Sequence, residues 1–347
     1  MFGELPVPEF FDPDRVGQVW RVPYQERAEQ AVKWRNTHRI PPAGSDEVKI
    51  ALVLVDVQNT FCLPDFELFV AGRSGRGAVE DNVRLCRFIY RNLANLTEII
   101  PTLDTHQAIQ IFHAIFLVNE RGEHPQPYTL VSVEDVEQGK WRFNPAVAPV
   151  LGLDAESGQK HLLHYTRQLK AQGKYQLTIW PYHAMLGGIG HALVSSVEEA
   201  LFFHGICRYT QPRFQIKGNH PLTENYSALG PEVKTGADGR TLAEKNHALI
   251  EHLLQFDAVI FTGQAKSHCV AWTVEDFLND QRVKERDFAR RVYLLEDCTS
   301  PVVVPGAIDY SEEADRAFER FARLGAHRVT SEMPLSEWPD LKDVLKK

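Results

Sequence analysis

The sequence predicts an α/β protein with a doubly wound, mainly parallel sheet, helices on both faces and an added N-terminal arm. Short β-branched runs alternate along the chain with longer stretches of helical periodicity, which is the pattern of parallel strands joined by crossover helices. Several runs are apolar at consecutive positions, as in strands that are covered on both faces. Several also deliver a charged or nucleophilic residue at their carboxyl end, where sheets of this kind carry their sites.

The chain has 347 residues, a length that suits one large domain with additions. We predict an arm over residues 1–47 and a single domain over residues 48–347. Prolines interrupt the start of the arm, residues 24–40 have helical composition, and PPAG ends that helix. We expect the arm to pack on the domain or on a partner subunit, so a homo-oligomer is an expected assembly.

The first half of the domain shows two strands and one long helix. Residues 49–58 form a β-branched run that contains Asp56, and residues 77–96 have helical spacing. A short strand over 99–103 leads to Asp104. The apolar run 111–118 either extends that strand or lines a pocket. Gly, Pro and polar residues over 119–160 indicate an inserted excursion.

The second half continues the alternation of strands and helices. Helical segments are expected at 161–173, 191–206, 241–256, 270–281 and 311–325. Strands are expected over 175–183, 213–218, 257–263 and 290–302, with a turn-rich loop at 231–240. This order gives the parallel sheet its crossover connections.

Composition excludes several classes of function. The net charge is −8 and no block of Lys or Arg occurs, which excludes nucleic acid as the main partner. No stretch has the roughly 18 apolar residues of a membrane span. The five cysteines form no CxxC pair, so free thiols are expected and a zinc finger is not. The acidic, Pro-rich N-terminus lacks the pattern of a secretory signal, and the cytoplasm is the expected compartment.

Chemically active residues follow the predicted strands. Because the carboxyl ends of parallel strands meet at one edge of a sheet, these side chains are expected to converge on one crevice. In chain order they are Asp56, Asp104, His106, His183, Lys217 and Cys269.

A thiol at a strand-to-helix junction suits nucleophilic catalysis. A helix N-terminus and a nearby Lys217 ammonium would lower the pKa of Cys269. Asp56 would accept the thiol proton and pass it to a leaving amine, while N–H groups of the turn would stabilise an oxyanion. Each residue alone also fits a plain structural role: Cys269 in the core, Asp56 in a turn and Lys217 on the surface.

The order of five motifs resembles the isochorismatase-like cysteine hydrolases, and most closely the nicotinamidases. The resemblance covers roughly residues 48–305. Its motifs are LVDVQNTFC with Asp56, LDTHQ with Asp104 and His106, WPYHAMLGGIGHAL with Trp180 and His183, FQIKG with Lys217, and AKSHCVAWTVEDF with Cys269. Each motif is weak by itself, and the specificity comes from their order.

The resemblance implies roles for the residues of these motifs. Cys269 would be the nucleophile, Asp56 the base and Lys217 the support of the thiolate, with an acyl-thioester as the intermediate. A cis peptide would join Gln264 to Ala265, and the N–H groups of Ala265 and Cys269 would form the oxyanion hole. The implied fold is that of an isochorismatase-like hydrolase.

A divalent metal is the cofactor that this resemblance implies, and no organic cofactor is expected. Asp104, His106 and His183 supply a carboxylate and two imidazoles, a reasonable set of ligands for zinc or a related ion. In the family such a metal holds the pyridine nitrogen of nicotinamide and does not activate the nucleophile. The same residues also fit a strand cap and a core histidine.

The sequence departs from the nicotinamidase pattern in several places. The second His of the metal motif usually comes about six residues on, whereas His113 lies seven beyond His106. Ala184 stands where the pattern has Cys, and Gly188 where it has Thr. The segments 119–160 and 219–240 are longer than a minimal member needs. The candidate pocket residues are Phe61, His113, Trp180 and Gln264.

The expected function is hydrolysis of a small amide, with nicotinamide as the leading substrate. One alternative is a metal-free amidase or ureidase acting on an N-carbamoyl compound or another small amide. A second alternative is a binding or regulatory protein that keeps the fold without turnover.

Overall fold

The computed structural model describes residues 3–304, 306 and 308–344 of the chain. Its α-helices are Tyr24–His38 (α1), Asn59–Cys62 (α2), Gly77–Arg91 (α3), Val133–Glu137 (α4), Ala155–Ala171 (α5), Ser195–Arg208 (α6), His247–Leu253 (α7), Ala271–Leu278 (α8), Gln281–Glu285 (α9), Ser311–Arg323 (α10) and Leu341–Val344 (α11). None of the described helices has the length and hydropathy needed to cross a bilayer.

Shorter helical turns and the strands complete the secondary structure. The 3-10 turns are Pro13–Arg15, Ala43–Ser45, Ala114–Phe116, Pro145–Val147, Pro149–Leu151, Ile189–His191, Phe288–Arg291, Glu296–Cys298 and Leu335–Glu337, and a π-helical turn spans Lys266–Val270. The strands are Ile50–Val55 (β1), Glu98–Asp104 (β2), Leu117–Val118 (β3), Leu130–Val131 (β4), Arg142–Phe143 (β5), Leu177–Thr178 (β6), Gln215–Lys217 (β7), Ala258–Gly263 (β8), Val292–Leu295 (β9), Val303–Val304 (β10), Ile308–Asp309 (β11) and His327–Val329 (β12).

The central sheet has six strands in the order β12-β9-β8-β1-β2-β7. Each neighbouring pair in it is parallel. The chain builds outward from β1 through β2 to β7, and then returns to the other side of β1 with β8, β9 and β12. The predicted doubly wound α/β fold is therefore confirmed. The direction of winding reverses between β1 and β8, and folds of this type bind ligands outside the carboxyl ends of strands at such a point.

Strand β1 shows why the sheet is covered on both faces. All of its residues are buried. Ile50, Leu52 and Leu54 face a core shared with α3 and α6, whereas the alternate residues face a core shared with α7, α8 and α10. Successive strand side chains point to opposite faces, so a run that is apolar throughout requires helices on both sides.

The described residues that precede β1 pack on the domain itself. Helix α1 packs against α6, where Arg27 Nε donates to Glu199 Oε1 at 2.6 Å and both side chains are buried. Nearer the start, Leu5 N donates to the carbonyl of Arg91 at the end of α3. These contacts attach the segment to one face of the sheet, and its division from the domain at residue 47 stays a prediction.

The apolar run 111–118 does not extend β2. Gln110 Nε2 donates to the carbonyls of Gly218 and His220, and these bonds hold the chain in a loop beyond the sheet edge. Part of the run then forms β3, which pairs antiparallel with β5. The alternative expectation was that this segment lines a pocket. His113 lies in a cluster of histidines and is not among the described walls of the cavity reported below.

Helices α5 and α7 begin at other residues than expected because their caps lie elsewhere. Helix α5 begins at Ala155, six residues before the predicted start, because Asp154 Oδ1 accepts from Ser157 N at 2.7 Å. Helix α7 begins only at His247, because Asn246 Oδ1 accepts from Leu249 N at 3.0 Å. Local side-chain acceptors of this kind set a helix start more strongly than periodicity does.

A buried histidine makes folding stability depend on pH. His204 on α6 donates from Nε2 to the Leu96 carbonyl at 2.9 Å, and burial lowers its pKa to about 4. Its contribution to stability is complete above the unfolded pKa of about 6.5 and is lost as the pH falls toward 4. Glutamine at this position keeps a hydrogen-bond donor without a titratable group. When the pH is lowered from 7.5 to 4.5, we expect the unfolding free energy of His204→Gln to fall by about 2 kcal/mol less than that of the wild type. Urea unfolding at the two pH values measures this difference, and equal losses in both proteins would contradict it.

Candidate active site

Asp56 follows β1 directly and lies at the centre of the carboxyl edge of the sheet. It is fully buried, and its φ of 48° is in the left-handed region, which non-glycine residues adopt uncommonly, aspartate more often than most. Thr102 of β2 holds it twice: its Oγ1 accepts from Asp56 N at 3.0 Å and donates to Asp56 Oδ1 at 2.5 Å. One carboxylate oxygen, Oδ2, therefore remains for other partners.

Lys217, at the end of β7, joins the polar groups of this edge. Its Nζ lies 2.9 Å from Asp56 Oδ2 and 2.9 Å from Asp104 Oδ1. The same Nζ lies 2.8 Å from the Asn225 carbonyl and 3.8 Å from Cys269 Sγ. The predicted base, Asp56, and the predicted nucleophile, Cys269, thus both lie in direct contact with the Lys217 ammonium group.

The residue after Lys217 must be a glycine. Gly218 has φ +82°, and a Cβ at this position would lie 2.5 Å from Asp104 Oδ1. A side chain here would displace the carboxylate that Lys217 contacts. The glycine that follows Lys217 in FQIKG is therefore needed so that the Asp104 carboxylate can lie beside the Lys217 ammonium.

The segment 264–270, named here the Cys269 turn, connects β8 to α8. It follows Gly263, where a Cβ would lie 2.1 Å from the Val55 carbonyl oxygen, so the backbones of β1 and β8 meet closely. The Gln264–Ala265 peptide is cis, as the resemblance implied. The turn is π-helical and leads into α8. In the described part of the chain no acceptor is found for the Ala265 N–H, and N–H groups at a helix start have no partner inside the helix.

The Gln264 side chain holds the turn and is absent from the described walls of the cavity. Its Nε2 donates to Asp81 Oδ2 at 2.8 Å, and its Oε1 accepts from Ser300 N at 3.3 Å. Burial raises the pKa of Asp81 to about 6. The expectation of Gln264 as a pocket residue is therefore corrected: its side chain lies behind the turn because two buried polar groups there require it as a partner.

The Cys269 thiol, the Asp56 carboxyl and the Lys217 ammonium shift one another's pKa. Burial raises the pKa of the Cys269 thiol, and the Lys217 ammonium acts against this rise. Burial also raises the pKa of Asp56, and the Lys217 ammonium again acts to lower it. The pKa of Lys217 is raised because Asp104 and Asp56 outweigh the effect of its burial. Lys217 is thus a fixed cation, beside a carboxyl and a thiol between which a proton can move.

Asp104 and Glu224 flank His106 at the end of β2. Burial acts to raise the pKa of Asp104, but His106 and Lys217 outweigh it and the pKa is lowered. His106 Nε2 lies 3.1 Å from Asp104 Oδ1 and 4.0 Å from Glu224 Oε1. Burial raises the pKa of Glu224 to about 8. These three residues bring ligand atoms within 4.8 Å of one another.

His106 and two further histidines, His113 and His183, each use Nδ1 to contact a backbone carbonyl. The Nδ1 atoms of His106, His113 and His183 lie at 3.2, 3.2 and 2.7 Å from the carbonyls of His183, Ala108 and Pro181. In its neutral form each ring thereby keeps a lone pair on Nε2. Burial acts to lower the pKa of His106, but the Asp104 carboxylate outweighs it and the pKa is raised, so a metal ion would have to displace a proton from this ring. The Nε2 atom of His113 is buried without a hydrogen-bond partner among the described residues, and the three rings offer nitrogens within 4.8 Å of one another.

These histidines are suited to a metal ion. Metal-binding histidines are neutral and donate their other N–H to a carbonyl or carboxylate. Burial, followed by the charge of His106, lowers the pKa of His113 to about 4, and burial also lowers the pKa of His183. The three imidazoles suit a divalent ion such as zinc, and Asp104 joins His106 and Glu224 in a second, overlapping group of possible ligands. His113, expected as a pocket residue, thus lies in the cluster of candidate ligands and outside the described cavity walls.

A narrow cavity opens on Cys269 at the end of β8. Two predicted pocket residues, Phe61 and Trp180, belong to its walls, and Trp180 Nε1 donates to Tyr226 OH at 3.0 Å. One side is apolar and the other carries carboxylates and imidazoles. The described walls are Phe61, Leu68, Val70, Asp104, Trp180, His183, Glu224, Tyr226, Ala265, His268, Cys269 and Val302.

His268 is a wall residue that sequence reasoning missed. Its Nδ1 lies 2.8 Å from Ser267 Oγ, and its Nε2 is buried without a hydrogen-bond partner among the described residues. Burial lowers its pKa to about 3, so the ring is neutral. Its position next to Cys269 in the motif was the signal that could have identified it.

Glu224 and Tyr226 were also missed, because residues 219–240 were interpreted only as an inserted loop. The segment returns to the site after Lys217 and supplies both side chains to the cavity. Its carbonyl at Asn225 accepts from Lys217. The nearness of these residues to Lys217 in the chain was the available signal.

The fold and site define a doubly wound α/β protein with a buried Cys-Lys-Asp group at its topological switch point. No protein-family model matches the chain, and no curated protein matches it either. Similar solved structures include a nicotinamidase and pyrazinamidase from Acinetobacter baumanii, at 20% identity over 83% of this chain and 98% of that chain, with a TM-score of 0.48.

Two further similar structures come from other organisms. The yeast nicotinamidase is 18% identical over 81% of this chain and 99% of its own, with a TM-score of 0.49. The pyrazinamidase of Pyrococcus horikoshii in complex with zinc is 17% identical over 81% of this chain and 99% of its own, with a TM-score of 0.42. At such identities the likeness concerns the fold, and function is inferred from the site's geometry.

Proposed function

We propose that this chain is a cysteine amidohydrolase that converts nicotinamide and water into nicotinate and ammonia. The supporting observation is the contact of one ammonium, that of Lys217, with Asp56 at 2.9 Å and with Cys269 at 3.8 Å beside a cavity. A base, a nucleophile and a cation that stabilises the thiolate are within reach of one another. The alternative of a protein without turnover does not account for this arrangement.

In the first half of the reaction, the amide is exchanged for a thioester. The Cys269 thiol proton passes to Asp56 as the sulfur attacks the amide carbonyl carbon. The oxyanion that forms is stabilised by the N–H groups of Ala265 and Cys269. The C–N bond then breaks, and the nitrogen leaves as ammonia with the proton that Asp56 held. The site is left with an acyl group on Cys269 and an ionised Asp56.

In the second half, water cleaves the thioester. Asp56 accepts a proton from the water as its oxygen attacks the acyl carbon. The C–S bond then breaks, the proton returns to the sulfur, and the carboxylic acid leaves. One water is consumed, one ammonia and one acid are produced, and the Cys269 thiol is restored. Lys217 stays protonated throughout, because two carboxylates contact it.

A divalent metal would be held by Asp104 and by the Nε2 atoms of His106, His113 and His183. When bound, such an ion supplies a Lewis-acid contact that orients a ring nitrogen of a heteroaromatic substrate. The donors support it: the three imidazoles offer nitrogens within 4.8 Å of one another, and the Asp104 carboxylate lies 3.1 Å from His106 Nε2.

The cavity walls support a small, flat substrate. Phe61 and Trp180 are aromatic, and Leu68, Val70 and Val302 are aliphatic. His183 and Glu224 give the cavity a polar side. A planar heteroaromatic amide would place its ring between apolar groups and its nitrogen toward the histidines.

An ammonia-release assay with and without chelator tests the proposal. We expect nicotinamide to be hydrolysed, benzamide (which lacks the ring nitrogen) to react at least about tenfold more slowly, and chelator to reduce the rate with nicotinamide. Hydrolysis of an N-carbamoyl compound at a rate that chelator leaves unchanged would instead support the metal-free amidase or ureidase. A purified protein that binds nicotinamide and releases no ammonia would support the binding protein.

Removal of a metal-binding histidine tests the cofactor separately. We expect His113→Ala to weaken zinc binding by at least about 10–100-fold, the loss that follows removal of an outer-shell partner alone, because here a histidine donor itself is lost. Isothermal titration with Zn²⁺ measures the affinity. His161→Ala is the control, because His161 is also buried but donates from Nε2 to the Leu222 carbonyl at 2.8 Å. Equal zinc affinity in His113→Ala and wild type would contradict the assignment.

A further inference from the structure

Lys266 is a buried lysine of the Cys269 turn that the proposed mechanism does not use. The described cavity walls do not include it. Its Nζ lies 2.9 Å from Glu296 Oε1 and 3.0 Å from Asp315 Oδ1. The ammonium also lies 4.6 Å from the ring centroid of Phe318, a distance at which a cation and an aromatic face attract. The side chain therefore points away from the substrate and into the protein.

Lys266 is attached to the site through its backbone. It directly follows Ala265, whose N–H belongs to the proposed oxyanion hole, and it precedes Cys269 by three residues. Its own N–H donates to the Ser300 carbonyl at 2.8 Å. The turn is thus held by main-chain bonds on one side and by the Lys266 side chain on the other.

The acidic partners belong to two elements that are separate from the turn. Glu296 follows β9, and Asp315 lies on α10, which packs against the turn. Lys266 therefore links the turn to the sheet and to a helix at once. A buried charge with two oriented partners is costly to disturb, so these ion pairs define one position for the turn.

Two arginines fix the orientation of the same carboxylates. Arg328 of β12 lies 2.7 Å from Glu296, and Arg73 of the GRSGRG loop lies 2.6 Å from Asp315. Burial acts to raise the pKa of both carboxyl groups, but hydrogen bonds from the arginines and Lys266 outweigh it and lower each pKa. Both acids are therefore carboxylates at neutral pH, and Lys266 lies between two oriented anions.

We propose that Lys266 is a positioning residue: its ion pairs hold the Cys269 turn so that the N–H groups of Ala265 and Cys269 point at the oxyanion. The inference rests on the proposed function for the identity of these donors. Oxyanion donors act only within about 2.7–3.1 Å of the developing charge, and small displacements reduce rates strongly. The GRSGRG loop takes part through Arg73, which orients one of the two acids.

Two probes separate the position of the turn from the reactivity of the thiol. With 4-nitrophenyl acetate the Cys269 sulfur attacks an ester carbonyl, an oxyanion forms, and 4-nitrophenolate leaves. With iodoacetamide the sulfur displaces iodide and no oxyanion forms. We expect Lys266→Met to slow acylation of Cys269 about 100-fold, comparable to the loss of one oxyanion donor, and to change alkylation less than about threefold. Peptide mass spectrometry assigns both products to Cys269.

Variants of matched chemistry decide between positioning and general loss of packing. Lys266→Arg keeps the cation and is expected to acylate within about tenfold of wild type, since arginine also pairs with two carboxylates. Lys174→Met is the control, because Lys174 pairs with Glu232 at 2.9 Å and lies 4.5 Å from the Trp272 ring, and it is expected to leave acylation within about threefold of wild type. If Lys266→Met does not fold, Asp315→Asn replaces it, with a loss of about tenfold expected in acylation alone.

The outcomes are distinct. Equal acylation in Lys266→Met and wild type, or an equal loss in Lys174→Met, would overturn the positioning role. Parallel losses in acylation and alkylation would also overturn it, because they indicate an effect on the thiol. A wild-type Cys269 that reacts with neither probe would refute the proposed function itself, and the inference with it.

Discussion

Replacing Cys269 by alanine is expected to reduce kcat for nicotinamide hydrolysis by about 10⁵-fold or more, the size of effect seen when a nucleophile is removed. The substitution removes the sulfur that would form the proposed thioester and leaves the proposed oxyanion donors in place. Lys217 and Asp56 would keep their ion pair at 2.9 Å, so the fold is expected to survive. Ammonia release over several hours measures the residual rate, and mass spectrometry shows whether an acyl adduct accumulates in the wild type.

Cys86→Ala provides the matched control for this experiment. Cys86 is a fully buried thiol of α3 that faces the core, so its loss changes packing without touching the site. We expect kcat of this variant to equal that of the wild type. Hydrolysis at an undiminished rate by Cys269→Ala would show that water attacks the amide directly, and the thioester mechanism would have to be abandoned.

Replacing Lys217 by methionine is expected to produce the second large effect, on both catalysis and stability. The ammonium contacts Asp56 and Asp104 and lies 3.8 Å from Cys269 Sγ. Without it the thiolate has no cation, and we expect kcat to fall about 10³-fold. Two buried carboxyl groups also lose their partner, and breaking a buried pair costs about 3–5 kcal/mol of unfolding free energy near neutral pH.

The pH dependence of this loss has a defined sign. Without Lys217 the folded-state pKa of Asp56, which burial already raises, rises further, and the pKa of Asp104, which His106 and Lys217 hold down, rises as well. The folded state then binds protons more tightly than it does in the wild type. The stability deficit is therefore full at pH 8 and becomes smaller as the pH is lowered through the raised pKa values. Urea unfolding from pH 8 to pH 5 measures it. Lys245→Met, which removes a partly buried pair with Asp280 at 3.0 Å, serves as control, and a deficit independent of pH would contradict the expectation.

Much of the fold could be predicted because β1 and β9 are apolar at every position and β8 is apolar at nearly every position. A run such as that of β1 has few alternatives to burial between two layers of helices. The residue after such a strand is then constrained to one edge of the sheet, and Asp56, Asp104, Lys217 and Cys269 were expected together for that reason. The short edge strand β12 was not predicted, since a strand of three residues carries too little periodic signal.

The polar shell of the site was less predictable. Thr102 lies in the middle of β2 and has no motif, yet it makes two hydrogen bonds with Asp56. Glu224 and His268 reach the cavity from a loop and from the Cys269 turn, and their importance depends on which neighbours surround them. Side chains at irregular positions have no periodicity to fix their direction, so sequence alone does not say whether they face solvent or a site.

By itself, the sequence determined a mainly parallel, doubly wound sheet and the chemical identity of the groups at its carboxyl edge, because hydrophobic periodicity and strand ends are local properties of the chain. The order and extent of the strands came from the structure: residues 175–183, expected as a strand, form only β6 at Leu177–Thr178, which pairs with β4 outside the central sheet. Only the tertiary structure decided that His113 lies with His106 and His183. It also decided that Gln264 donates to Asp81 on the far side of the Cys269 turn, and that Lys266 forms ion pairs with Glu296 and Asp315. These arrangements join residues that are far apart in the chain. Buried polar and charged groups need hydrogen-bond or ion-pair partners. Which residues become those partners depends on how the whole chain packs.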